Sequence, residues 1–177
     1  MRIGIDVSQT AFKGVGVSNY LLHLVENLVV LDPKNQFVLF FSSLRQEVPK
    51  EIAQLAKLDN VEVKTFKFPP LLLEILWNRI HKVPIERFIG NVDIFISSDW
   101  TQPPVQTAKE ATILYDLIIY KYPKETAQKI IKVQKRRLRW VRKEVDEVFC
   151  ISEATKKDAS DILNIDKKKL AVLYPGI

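Results

Sequence analysis

The stretch DVSQTAFKGVGVSNYLLHLV, residues 6–25, runs from the end of an apolar strand-like segment through two glycines into an apolar helix-like one. The same alternation recurs along the chain. Short β-branched or aromatic runs at 3–7, 37–41, 61–66, 92–96, 112–115, 148–151 and 170–173 read as strands. Helical period covers 17–31, 49–57, 71–89, 124–145 and 153–163. Strands apolar on both faces, alternating with helices, imply a parallel sheet covered on each side. The expected fold class is therefore α/β, a Rossmann-like doubly wound parallel sheet. The punctuation agrees: Pro33 follows the first helix, Pro69-Pro70 and Pro103-Pro104 mark loops, and Ser152 after VFCI is a good N-cap.

With 177 residues, 47% of them hydrophobic, the chain holds one domain with a proper core and leaves no room for a second of similar size. The net charge of +6 is unevenly spread. Between Lys121 and Lys143 stand ten basic residues and one acid, Glu125, so the basicity is one patch on an otherwise slightly acidic chain. Cys150 is the only cysteine, which excludes an internal disulfide; within EVFCIS it reads as an inert core thiol, and a cytoplasmic setting is the default. The N-terminus has no apolar core of signal-peptide length, and no run approaches the roughly 18 apolar residues of a membrane span. The expectation is a soluble protein, at most peripheral on the inner face of a membrane.

Open parallel sheets bind ligands at the carboxyl ends of their strands. That rule selects 14–18, 97–101, 116 and 152–155 as functional candidates. The loop carrying Gly14, Val15 and Gly16 is not a dinucleotide fingerprint, because Asn19 stands where a third glycine would fall, and no glycine precedes Lys-Ser/Thr as a P-loop needs. It remains either a phosphate-binding loop feeding a helix N-terminus or an ordinary connection. His23 and His81 are far apart on expected helices and read as surface residues, and with one cysteine there is no zinc ligand set and no metal is expected. No G-x-S-x-G elbow supports a serine hydrolase. Asp6, Asp99 and Asp116 sit at strand ends, where paired-carboxylate chemistry and simple capping are both open.

Five stretches in order, GIDVSQTAFKGVGVSNYLLHLVENL, VDIFISSDWTQPP, ATILYDLIIYKYP, EVFCISEATKKD and LAVLYPGI, resemble the N-terminal, acceptor-side half of glycosyltransferase family 4, enzymes of GT-B fold. The resemblance covers essentially the whole chain. It implies a retaining, nucleotide-sugar-dependent transfer to a sugar, lipid or other acceptor, with no cofactor. It places Gly14, Val15, Gly16, Asn19, Asp99, Trp100, Ser152 and Thr155 beside substrate or phosphate, and Tyr115 and Asp116 at the catalytic position. The family commonly carries His-Asp there; Tyr115 can donate one hydrogen bond but cannot reproduce the geometry or titration of an imidazole. The family's donor-binding domain follows the YPGI turn. The expectation is a half-enzyme that needs a C-terminal donor domain or partner chain and is inactive alone, with a homodimer through the exposed cleft also open.

The stretch QKIIKVQKRRLRWVRKEV has its own reading. Ile131, Leu138, Val141 and Val145 make an apolar helical stripe, while Lys132, Lys135, Arg136, Arg139, Arg142 and Lys143 cover much of the rest. Either this is a packed helix with a solvated basic face, or it docks on an anionic membrane or acidic partner with Trp140 as an interfacial anchor. No nucleic-acid signature accompanies the charge. The competing function is thus a non-catalytic Rossmann-like binding module.

Overall fold

The computed structural model describes residues 1–12 and 14–176. Seven parallel strands form one sheet: β1 (Arg2–Asp6), β2 (Gln36–Ser42), β3 (Val61–Phe66), β4 (Ile94–Ser97), β5 (Lys109–Leu114), β6 (Glu147–Cys150) and β7 (Leu170–Val172). Their spatial order is β3-β2-β1-β4-β5-β6-β7. The chain walks outward from β1 to β3, returns to the other side of β1, and walks the opposite way from β4 to β7. This is the doubly wound Rossmann-like arrangement, and its strand order reverses between β1 and β4.

The period of two along each strand sorts its side chains between two helical layers. Phe37, Leu39 and Phe41 of β2 join Leu21, Val25 and Val29 of α1 (Gly16–Leu31) and Ile52 of α2 (Lys50–Leu55). Val38 and Phe40 point the other way, to Trp77, Ile85, Ile89 and Phe95. On that second face β5 and β6 are covered by α6 (Gln128–Glu144) and α7 (Glu153–Leu163), whose Ile131, Leu138, Val141, Ala159 and Leu163 enclose Val148 and Cys150. The expected stripe Ile131, Leu138, Val141 and Val145 is fully inside. Cys150 is a buried free thiol whose pKa burial pushes up to about 11, so it is inert as expected. Among the described residues no helix is long and apolar enough to cross a membrane.

Helix boundaries differ from expectation in two places. The single helix expected over 71–89 is two pieces: α3 (Pro70–Leu73), continuing as a π-type turn over Glu74–Ile80, and α4 (Glu86–Ile89). His81 takes a left-handed φ of 54° that ends the first piece, and Pro84 has no N–H to carry a helix through. The helix expected over 124–145 begins only at Gln128, after a separate turn, α5 (Ile118–Lys121), which the periodicity did not show. Pro123, with Thr126 Oγ1 donating to the Tyr122 carbonyl at 3.2 Å, makes the break.

The π-type segment is riveted to α6. The Glu74 carboxylate, only 2% exposed, accepts from Arg79 Nε at 2.9 Å and Arg136 Nε at 2.7 Å. Trp140 Nε1 donates to the Asn78 carbonyl at 2.9 Å, and its ring stacks on His81 at 3.7 Å, parallel within 1°. His81 also bonds the Trp77 carbonyl and Glu144, both at 2.7 Å. The expectation that His81 is a surface residue is therefore corrected: it is a clamp between two neighbouring segments of one helical layer, its side chain 6% exposed.

Candidate functional site

The carboxyl edge of the sheet, where β1 and β4 diverge, gathers most of the expected residues. At the end of β1 the buried Asp6 turns its Oδ1 back to the Ser8 N–H at 2.9 Å, and burial raises its pKa. A 3-10 turn, Ser8–Ala11, follows. Gly14 supplies a φ of +78°, a left-handed conformation that a side chain would strain. That bend delivers Val15 and Gly16 to the start of α1, where no side chain caps the helix among the described residues. The first-turn N–H groups of a 16-residue helix are thus left to whatever occupies the space before them.

Beyond β4, Asp99 approaches the guanidinium of Arg137 at 3.9 Å, and its carbonyl accepts from Gln134 Nε2 at 2.8 Å. Burial raises the Asp99 pKa; the Arg137 charge works against that rise and Asp116 adds to it. Trp100 is fixed through its carbonyl, which accepts from Asn78 Nδ2 at 3.1 Å. After β5, Tyr115 packs edge-on against Tyr20 with ring centroids 5.5 Å apart. Its hydroxyl is buried with no partner within hydrogen-bond geometry among the described residues, and burial raises its pKa against the opposing effect of the nearby Ser98 hydroxyl, so it stays neutral. Asp116 is exposed, and its Oδ1 accepts from the Ile118 N–H at 3.0 Å.

Arg137, fully buried, is the residue that sequence reasoning missed. Its Nη2 donates to Thr112 Oγ1 at 2.8 Å and to the Ile113 carbonyl at 3.1 Å, while its Nε has no partner among the described residues. It is the cation at the centre of Asp6, Asp99 and Tyr115. A signal existed: Arg137 lies four residues from both Val133 and Val141, in phase with the buried face.

The candidates open onto two separate cavities. One, of about 280 Å³, lies between β1, β2 and α3 and is lined by Asp6, Ser8, Phe12, Leu73, Trp100 and Thr101. The other, of about 830 Å³, is lined by Gly16, Asn19, Tyr20, Tyr115, Asp116 and Tyr174, with the exposed His23 on its wall. Gly16, Asn19, Tyr115 and Asp116 therefore share one cavity, whereas Trp100 belongs to the other. Ser152 and Thr155 join neither. Ser152 Oγ caps α7 by accepting from the Thr155 N–H at 3.1 Å, and Thr155 Oγ1 donates to the Tyr115 carbonyl at 3.1 Å. In the structure both serve the scaffold: they hold the end of β5 in place.

Chemically the larger cavity offers hydrogen-bond donors at the α1 start, an amide at Asn19, a carboxylate at Asp116 and, at Tyr115, an aromatic wall. It suits a polar ligand that presents both hydroxyls and an anionic group. Among the described residues no group of three or more His, Cys, Asp or Glu side chains is placed to hold a metal ion. On α6, Lys132, Lys135, Arg139 and Arg142 are exposed. Arg136 and Trp140, expected on the same outer surface, are instead turned toward the π-type segment, held by Glu74 and by Asn78 and His81.

No protein-family model matches the chain, and no curated protein matches it. Among the solved structures that resemble it distantly are the following two. A glycosyltransferase from Rickettsia africae ESF-5 aligns with 99% of this chain and 43% of its own, at 17% identity and a TM-score of 0.45. A protein from Burkholderia multivorans, named as a short-chain alcohol dehydrogenase, aligns with 98% of this chain and 95% of its own, at 11% identity and a TM-score of 0.44. The chain thus spans less than half the length of the first of these, and neither likeness bears on chemistry.

Proposed function

We propose that this chain is the acceptor-side half of a retaining, nucleotide-sugar-dependent glycosyltransferase and works with a donor-binding domain or partner chain. One observation carries the reading: the uncapped start of α1, Tyr115 and Asp116 line a single cavity at the carboxyl edge of the sheet. The order of the five family-4-like stretches supports it from the sequence side.

In this reading the transferring sugar and donor phosphate approach the α1 start, where free N–H groups favour negative charge. Tyr115 walls the sugar, and Asp116 accepts a hydrogen bond from the incoming acceptor. The acceptor oxygen attacks the anomeric carbon on the face the nucleotide leaves, the C–O bond to phosphate breaks, and the departing phosphate oxygen takes the acceptor proton. The protein's share is positioning and electrostatics.

The test is calorimetry and amide-shift mapping with uridine, guanosine and adenosine diphosphate sugars and with simple sugars. The expected result is donor binding no tighter than millimolar, since this half lacks a nucleotide grip of its own, with shifts at Asn19, Tyr115 and Asp116 on adding sugar. Micromolar donor binding would place the donor site in this half, and the absence of any shift at those three residues would remove the reading. The exposed arc of α6 favours a second role, as a docking module.

A further inference from the structure

Between α6 and α7, along the flank of α6, lies a groove lined by Lys135, Arg139, Arg142, Lys143, Tyr120 and Ile162, with Leu138 and Leu163 at its base. It holds four cations and no acid. Lys135, Arg139 and Arg142 have no carboxylate partner among the described residues; Lys143 reaches Glu144 at 3.2 Å from an exposed position. Lys135 Nζ stands 5.4 Å over the Tyr120 ring, and Arg139 and Lys143 stand 5.4 and 5.0 Å from the Trp140 ring. The aromatic rings thus hold the cations in place.

Gathering four like charges in one groove opposes folding, so nothing in the domain's own stability accounts for it. The cations the fold does use point elsewhere: Arg136 is bound to Glu74 and Arg137 is inside the core. What is left on the outer arc of α6, Lys132, Lys135, Arg139, Arg142 and Lys143, runs through three turns of helix, about 16 Å, with no acid among them. One bound phosphate needs two or three of these. A row of five matches an extended anionic plane, and the apolar Ile162 and the Tyr120 ring beside the cations match the carbons next to a headgroup phosphate.

We infer that this groove seats the phosphate of an anionic phospholipid and that the outer arc of α6 lies on the surface of an anionic membrane. The site is separate from both sheet-edge cavities, so it stands or falls independently of the sugar-transfer reading.

The test is co-sedimentation of the whole chain with vesicles of phosphatidylcholine carrying 30% phosphatidylglycerol, at low and high salt, beside pure phosphatidylcholine vesicles. The triple variant K135Q/R139Q/R142Q should bind about a hundredfold more weakly than the parent. A control of equal charge, K34Q/K50Q/K57Q, removes three exposed lysines from the half of the sheet formed by β1 to β3 and should bind as the parent does. The conservative K135R/R142K should keep binding, and circular dichroism checks that each variant is folded. Inorganic phosphate at matched ionic strength should compete weakly; full displacement by it would make the groove a site for a free phosphate compound. Equal loss in the control would reduce the effect to net charge. Absent binding to anionic vesicles at low salt, or tighter binding to a single-stranded oligonucleotide than to vesicles, would overturn the inference.

Discussion

Glu110 is the second residue of β5 and is only 2% exposed, with its Oε1 accepting from Gln102 Nε2 at 2.7 Å. Burial, aided by the like charges of Glu144, Asp146 and Glu86, raises its pKa from the ordinary 4.5 to about 7. Below the ordinary value the carboxyl is protonated in folded and unfolded chain alike and has no pH-dependent effect. As pH rises from 4.5 the unfolded chain releases the proton first, so stability falls by about 1.4 kcal/mol for each pH unit until the folded carboxyl ionises too. Across that window the loss is about 3 kcal/mol. Glu110→Gln keeps an oxygen for Gln102 and cannot ionise. Asp6 and Asp99, also raised, and Glu62, which is lowered, do not act on Glu110 and cancel in the difference between parent and variant. Urea unfolding followed by circular dichroism from pH 4 to 8.5 should show the variant gaining on the parent from pH 4.5 to 7 and holding a constant advantage above. A stability difference that stays flat across this range would refute the assignment of a burial cost to this carboxyl.

Three further outcomes follow from packing. Glu74→Gln removes the buried charge that binds Arg79 and Arg136, and should lower stability by about 2 kcal/mol in denaturant melts; an unchanged midpoint would mean that the rivet between the π-type segment and α6 is decorative. Ser152→Ala deletes the α7 cap and should cost about 1 kcal/mol by the same measurement, with Ser152→Asp largely restoring it. Gly4→Ala would put a methyl group 2.7 Å from Ile89 Cδ1 and 3.0 Å from Phe95 Cδ2, both in the core. A loss of about 1–2 kcal/mol is expected, and a variant as stable as the parent would show that α4 yields freely.

The sheet was legible because its signal is local. Phe37 to Phe41 is apolar at every position, and only a strand covered on both faces uses such a run. The same holds for the stripe from Ile131 to Val145, which declared the buried face of α6. What escaped depends on partners distant in sequence. Trp140 looked like a surface aromatic because nothing in its neighbourhood names His81, 59 positions earlier, as the ring it stacks on. Arg137 was hidden among cations that mostly do face solvent, and only the phase of Val133 and Val141 set it apart. At the sheet edge, the rule about strand ends found the right rim but could not divide it: one loop's Trp100 and another's Tyr115 stand in different cavities, and Ser152 and Thr155 are spent on each other and on the Tyr115 carbonyl.

The reversal of strand order between β1 and β4 has a further consequence for how the chain comes off the ribosome. β1 has two flanking partners, and one of them, β2, emerges within a few dozen residues, but Ile3, Gly4 and Ile5 pair on their other side with Ile94, Phe95 and Ile96. At about 5–20 residues per second, the nascent β1 waits roughly 5–18 s for that second neighbour. During this interval a strand whose central glycine offers no steric guard presents its open hydrogen-bonding edge to any other extended segment. Pairing across so long a separation is slow in itself. The vulnerable moment is therefore the interval between the synthesis of β1 and that of β4, and the strand at risk is β1.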